Sequence, residues 1–221
     1  IDPQGQPGYN ANLTGPAGVT STAGNPTMAK QLLQQGMQEE GITTLPPITF
    51  TYYTDNTAIP LAAQAMIQQW KTVLGVSVKP QAVLFDKLIQ LVNATQGNAS
   101  LQMWIDGWLA DYPDPQDWLG NFFEKGAGYN QFNYGQNNTS DAAAQQAVQQ
   151  QLAQADMNQN QSTRLQAYEQ AEQQIVNDVG WLSLWQSQGT IVINPKVVGN
   201  PFVNALEYVA PDAWANVYIA A

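Results

Sequence analysis

Apolar positions recur along the chain with two periods, and the changes of period mark the elements. Behind Asn25 and Pro26, a capping residue and a proline preset for a first turn, Met28, Leu32, Leu33 and Met37 fall at helical spacing until Gly41. Pro46 and Pro47 then introduce alternation: Ile48, Phe50 and Tyr52 share one face and Thr49, Thr51 and Tyr53 the other, which predicts a strand. Leu61, Ala62, Ala65, Met66, Trp70, Val73 and Leu74 return to helical spacing over 57–74, and Gly75 ends the run. A strand over 76–83 follows, then a helix marked by Leu84, Leu88, Leu91 and Val92 and closed near Gly97. Leu101, Met103 and Ile105 alternate with Gln102, Trp104 and Asp106 in a further strand, so the order is that of an α/β layer.

The second half reads differently. A turn at 112–115 leads through Asp114 and Asp117 into a short helix reaching Phe123, and a Gly- and Asn-rich loop runs to Thr139. Two helices are predicted next, over 141–155 and 161–177, the latter with Leu165, Tyr168, Ala171, Ile175 and Val176 as its apolar stripe. Residues 181–192 read as a strand. From Pro195 onward Gly199, Pro201 and Pro211 break the pattern around Val197, Phe202, Leu206 and Val217, which predicts an extended arm without a partner strand in this chain. Residues 1–24, with seven Gly and Pro positions between Gly5 and Gly24, read as an extended surface segment.

Composition narrows what such a chain can do. Seven Trp, nine Tyr and six Phe in 221 residues supply a genuine core. Seven basic against 17 acidic residues, a net charge of -10, repel a phosphate backbone, so no nucleic-acid partner is expected. Cys and His are both absent, which removes thiol nucleophiles, imidazole bases, disulfides and the usual transition-metal ligands, and no cofactor is expected. No apolar run approaches the roughly 20 residues that span a bilayer. Surface polarity is mostly uncharged, with 30 Gln and 18 Asn; this fits either adaptation to acid outside the cell or a lineage habit. Six N-x-Ser/Thr triplets, at Asn12, Asn93, Asn98, Asn137, Asn138 and Asn160, are what so Asn-rich a sequence produces by chance as readily as by selection for glycosylation. The start at Ile1, without Met, basic n-region or apolar h-region, reads as a chain truncated at its N-terminus.

The most specific segment is Gly107-Trp108-Leu109-Ala110-Asp111-Tyr112-Pro113-Asp114-Pro115-Gln116-Asp117-Trp118-Leu119. It resembles the signature of the family 5 extracellular solute-binding proteins, the peptide- and nickel-class receptors of ABC importers. Pro7-Gly8-Tyr9-Asn10, Ala29-Lys30-Gln31-Leu32-Leu33, Asp156 with Arg164, and Trp181-Leu182-Ser183-Leu184-Trp185 resemble the same family in the same order. The resemblance implies the C-terminal lobe of a two-lobed, periplasmic-binding-protein-like α/β fold (type II, cluster C). Residues 1–190 would form the ligand-binding lobe, and 191–221 a hinge return and arm crossing to a first lobe that has no counterpart here. It implies capture of short peptides outside the cell, in the periplasm or on an anchored surface, by closure of two lobes, and delivery to the membrane subunits of an importer, with no chemistry on the ligand.

Within peptide receptors of this family the matching position to Asp111 pairs with the ligand's α-ammonium and that to Trp108 walls the cleft, with Leu109, Ala110 and Tyr112 beside them. A carboxylate in a partly dry cleft accepts charge-assisted hydrogen bonds from an ammonium, so the assignment is chemically sound. Bland readings stand beside it: Asp111 as a loop cap, Trp104 and Trp108 as core. If the strand at 101–106 continued, Trp104, Asp106 and Trp108 would share a face. Asp106, Asp111, Asp114 and Asp117 also admit a glycosidase or calcium reading, but no catalytic frame accompanies them and EF-hand spacing is missing. An oligosaccharide receptor of the same family would instead stack sugars on Trp104, Trp108 and Tyr112. Arg164, the only Arg, and Asp156 are expected to cap or bridge helices. Gly180 stands where the family commonly has a Pro.

Overall fold

A computed structural model describes residues 1–95, 101–187, 190, 192–199 and 211–220. The chain divides into two compact units. One comprises Ser21–Gly107 and Gln131–Asn133, the other Ile1–Thr20, Trp108–Asn130 and Tyr134–Ala221.

The first unit is the α/β layer the periodicity predicts. It runs α1 (Pro26–Glu39), β1 (Ile48–Tyr53), α2 (Ala58–Leu74), β2 (Val78–Val83), α3 (Phe85–Thr95) and β3 (Met103–Trp104). The strands form a parallel sheet of order β2-β1-β3, with Phe50 opposite Pro80 on one side and Met103 on the other. As the central strand, β1 is buried on both faces: Phe50, Thr51 and Tyr52 are all inaccessible to solvent. Phe50 and Tyr52 meet Ile59 and Ala63 of α2, Val78 and Ile105, while the Trp70 indole lies edge-on to Phe50 at 5.6 Å. Asn25 caps α1 by accepting from the Met28 amide at 3.0 Å, and Gly75 ends α2 at φ +71°. The stripe on α1 packs only partly, for none of its residues is fully buried and Leu32 is exposed.

The strand at 101–106 is shorter than its alternation predicts. Pairing stops at Trp104, apart from one bond from the Ile105 amide to the Thr51 carbonyl. Trp104 packs against Phe132, at 6.4 Å. The predicted helix end at Gly97 lies outside the described residues.

The second unit is built on α5 (Ala142–Met157) and α6 (Gln161–Asn177), packed on each other. Val148, Leu152 and Ala155 of α5 and Tyr168, Ala171, Ile175 and Val176 of α6 are buried with Leu119, Phe122 and Phe123. Gln116–Gly120 makes one wide π-turn that passes directly into α4 (Asn121–Phe123). The N-terminal segment lies against α6: the Asp2 amide donates to Glu172 Oε1 at 2.9 Å, and Thr14 and Gln173 exchange two bonds of 3.0 Å. Asp2 is itself buried, which a purely superficial segment would not show.

Two expectations fail here. Residues 181–187 are not a strand; no partner strand lies beside them among the described residues, Trp181 packs inward on Phe122 and Phe123, and Leu182, Leu184 and Trp185 are exposed. The terminal stretch is not an unpaired arm, because β4 (Val197–Val198) pairs antiparallel with β5 (Tyr218–Ile219), joined by the Ala220 amide to the Lys196 carbonyl. Proline and glycine breaks hid a pairing of only two residues per strand, below what periodicity can register. Phe202 and Leu206 lie outside the described residues. Among the described residues no helix is long and apolar enough to cross a membrane.

Candidate functional site

The segment 108–123 owes its shape to two aspartates that the sequence reading left in the background. Asp117 is wholly buried, and three N–H donors converge on its carboxylate. Oδ2 accepts from the Trp108 indole at 3.0 Å and from the Asp111 amide at 2.9 Å, and Oδ1 accepts from Asn121 Nδ2 at 3.1 Å. Burying an anion is tolerable only when it is satisfied in this way. Asp114 shapes the turn before it: its carbonyl accepts the Asp117 amide at 3.0 Å and its Oδ1 the Gln116 amide at 2.9 Å. The turn is thereby ready to enter the π-turn, with Pro115 buried beneath it.

Arg164 of α6 fixes this turn from the outside. It donates to both oxygens of Asp114, at 2.8 and 2.7 Å, the two-point match a guanidinium offers a carboxylate. Burial alone would raise the Asp114 carboxyl; the Arg164 and Gln116 donors outweigh it and hold the group below the usual carboxylate range. Asp156 lies 3.9 Å from Arg164 and accepts from the Tyr168 hydroxyl. Arg164 therefore does more than bridge two helices: its main partner is the signature turn itself. Behind it, Glu124 is pushed up to about 7, by burial first and then by the neighbouring Asp156 carboxyl.

With the turn fixed from beneath, its outer edge is free to meet solvent. Leu109, Asp111 and Tyr112 are exposed, Leu109 at 71%, and Ala110 is partly so. The Asp111 side chain does not cap the loop; that work falls to Asp114 and Asp117, and Asp111 contributes only its amide. Trp108 is half-buried in an aromatic group, edge-on to Phe122 at 5.0 Å and to Tyr129 at 4.7 Å, with Phe122 in turn edge-on to Trp181 at 5.0 Å. Tyr129, at 43% exposure, extends that group toward solvent. The turn offers an exposed carboxylate at Asp111 and a half-buried indole at Trp108, both tied to Asp117, groups suited to a cationic, partly apolar ligand.

All five residues singled out from the sequence thus lie on one continuous edge. Asp117, Asn121, Phe122, Tyr129 and Trp181 were not foreseen as parts of it. In the sequence Asp117 stands at a helix start, inside the signature and among four acidic residues, but its spacing of six from Asp111 carries no periodic signal that pairs the two; Tyr129 stands in a Gly- and Asn-rich loop. Burial raises the Asp106 carboxyl, and the Gly107 amide partly opposes this. Among the described residues no cluster of three or more acidic side chains is arranged to hold a metal ion.

Comparison with known proteins agrees with this anatomy. Residues 1–130 match the family model described as bacterial extracellular solute-binding proteins, family 5 Middle. The dipeptide-binding protein DppE of Bacillus subtilis is 29% identical over 175 residues, covering 79% of this chain and 30% of DppE. The oligopeptide-binding protein OppA of the same organism is 32% identical over 105 residues, 46% of this chain and 18% of OppA. Among solved structures, Haemophilus influenzae OppA in complex with the peptide RPPGFSPFR superposes with a TM-score of 0.72 at 18% identity, covering 99% of this chain and 39% of that one. The Escherichia coli murein tripeptide-binding protein MppA gives 0.70 at 21%, covering 99% and 39%. The chain thus spans well under half the length of these relatives, and its fold is part of the periplasmic-binding-protein fold they share. On the family match and the shared fold together, this chain belongs to the family 5 bacterial extracellular solute-binding proteins.

Proposed function

We propose that the chain forms the C-terminal lobe of a receptor that captures short peptides outside the cytoplasmic membrane and hands them to an ABC importer. Residues 1–190 form the lobe proper and 191–221 the return toward the other lobe. The observation that carries this reading is the exposed Asp111 carboxylate on a turn immobilised by Asp114, Asp117 and Arg164, the same turn whose Trp108 ring packs with Tyr129. Asp111 pairs with the α-ammonium of the peptide, Trp108 walls the site, and Leu109, Ala110 and Tyr112 lie along the ligand. The main-chain groups of a peptide are then held without every side chain being read. The names of the relatives, which are dipeptide-, oligopeptide- and murein-tripeptide-binding proteins, support a peptide as ligand. Binding proceeds by lobe closure and releases the ligand unaltered.

The test is a thermal-shift screen of the full-length protein against di- to hexapeptides and oligosaccharides, repeated with Asp111→Asn. Stabilisation by peptides that is lost in the variant is the expected result. Stabilisation by sugars that survives the substitution contradicts the reading.

A further inference from the structure

The structure assigns to Asp117 the role of positioning residue for ligand binding: through hydrogen bonds to the Asp111 amide and the Trp108 indole it ties the main chain that carries the Asp111 carboxylate to the Trp108 ring. The inference rests on the ammonium reading of Asp111 and deepens it.

The geometry distinguishes Asp117 from an ordinary turn cap. A cap satisfies the first amides of its own helix, but the Asp117 carboxylate reaches back along the chain, nine residues to Trp108 and six to Asp111. One oxygen, Oδ2, accepts both bonds, so the main chain at Asp111 and the indole edge of Trp108 are tied to a single atom. The other oxygen is occupied by Asn121 Nδ2, which also approaches the Asp117 carbonyl at 3.3 Å and prevents the carboxylate from rotating away. Asp117 is fully buried and, with its donors on both sides, has no orientation in which to exchange partners. The main chain at Asp111 and the aromatic wall are therefore held together, and a ligand meeting Asp111 does not bear the entropy of ordering that main chain.

This predicts a chemical signature. In Asp117→Asn one amide oxygen can still accept from Trp108 and Asp111, but the new NH2 faces the NH2 of Asn121, donor against donor. The pair Asp117→Asn with Asn121→Asp restores the complement, because the carboxylate at 121 accepts from the new amide, and net charge is unchanged.

The experiment is calorimetric titration of the full-length protein with one peptide and with its N-acetylated counterpart, for wild type, Asp111→Asn, Asp117→Asn, both together, and the exchanged pair. The expected loss for Asp117→Asn on the free peptide is about tenfold or more, with less than about threefold on the acetylated one. The double variant should bind no more weakly than Asp111→Asn alone, and the exchanged pair should recover to within about threefold of wild type. Unchanged affinity in Asp117→Asn, an equal loss on both ligands, or additive losses overturn the inference while leaving Asp111 in place. Wild-type affinity in Asp111→Asn overturns the ammonium reading and this inference with it. Should Asp117→Asn fail to fold, Asn121→Ala, which removes the Nδ2 donor to Oδ1 and to the Asp117 carbonyl, carries the same comparison: a loss confined to the free peptide supports the role, and no loss overturns it.

Discussion

At the scale of single residues, the carboxyls in and behind the signature segment each have a different electrical setting. Asp114 is held low by Arg164 and the Gln116 amide, Asp117 is satisfied by three N–H groups, and Glu124 is raised by burial first and then by the neighbouring Asp156 carboxyl. The last has a consequence for stability. A folded-state value of about 7 against an ordinary 4.5 means that the folded protein holds a proton the unfolded chain releases, so stability declines as pH rises from 4.5 to 7 and stays lower above. Glu124→Gln should flatten that decline and gain about 1 kcal/mol at pH 8, the figure being discounted for solvent around a half-buried group; thermal unfolding at pH 5 and pH 8 measures it.

Gly8 shows a second residue-scale constraint. It sits at φ +98°, and a Cβ there would come within 2.7 Å of Asp2 Oδ2 and 2.9 Å of Pro115 Cβ. The Pro7-Gly8-Tyr9-Asn10 block thus backs the signature turn from the N-terminal side. Gly8→Ala is expected to cost about 1–3 kcal/mol, read as a lower unfolding midpoint.

At the scale of elements, the parallel sheet carries the first unit and β1 carries the sheet. Phe50 faces α2, is 2% exposed and supports Trp70, so Phe50→Ala should cost about 3–5 kcal/mol in denaturant unfolding, among the largest losses of any single change. These elements were legible because each announces itself locally: Asn25-Pro26 caps one helix, Gly75 closes another, and β1 alternates between two prolines and a turn. The elements that were misread lack such signals. Residues 181–187 have strand-like side chains but no strand beside them among the described residues, and β3 stops at Trp104 although the alternation runs on to Asp106. The β4–β5 pairing depends on contacts between distant segments, which no local period records. The site divides the same way. Its exposed edge, 108–112, was readable from motif resemblance, whereas the Asp117 and Arg164 contacts that hold it span nine and 50 residues and emerge only on folding.

At the scale of the whole molecule, the proposed reading makes the chain one wall of a cleft, which requires that it present fixed groups to a ligand that another lobe then covers. The second unit meets that need. Helices α5 and α6 bury apolar stripes against each other, Arg164 fastens the signature turn to them, and Asp111 is left facing solvent with its main chain pinned. The most direct test of this account is the affinity of the full-length protein for a peptide with a free α-ammonium, compared between wild type and Asp111→Asn by calorimetry. A loss of about tenfold to a hundredfold is expected, since a charged partner is left without its counter-ion; equal affinity in the two proteins would contradict it.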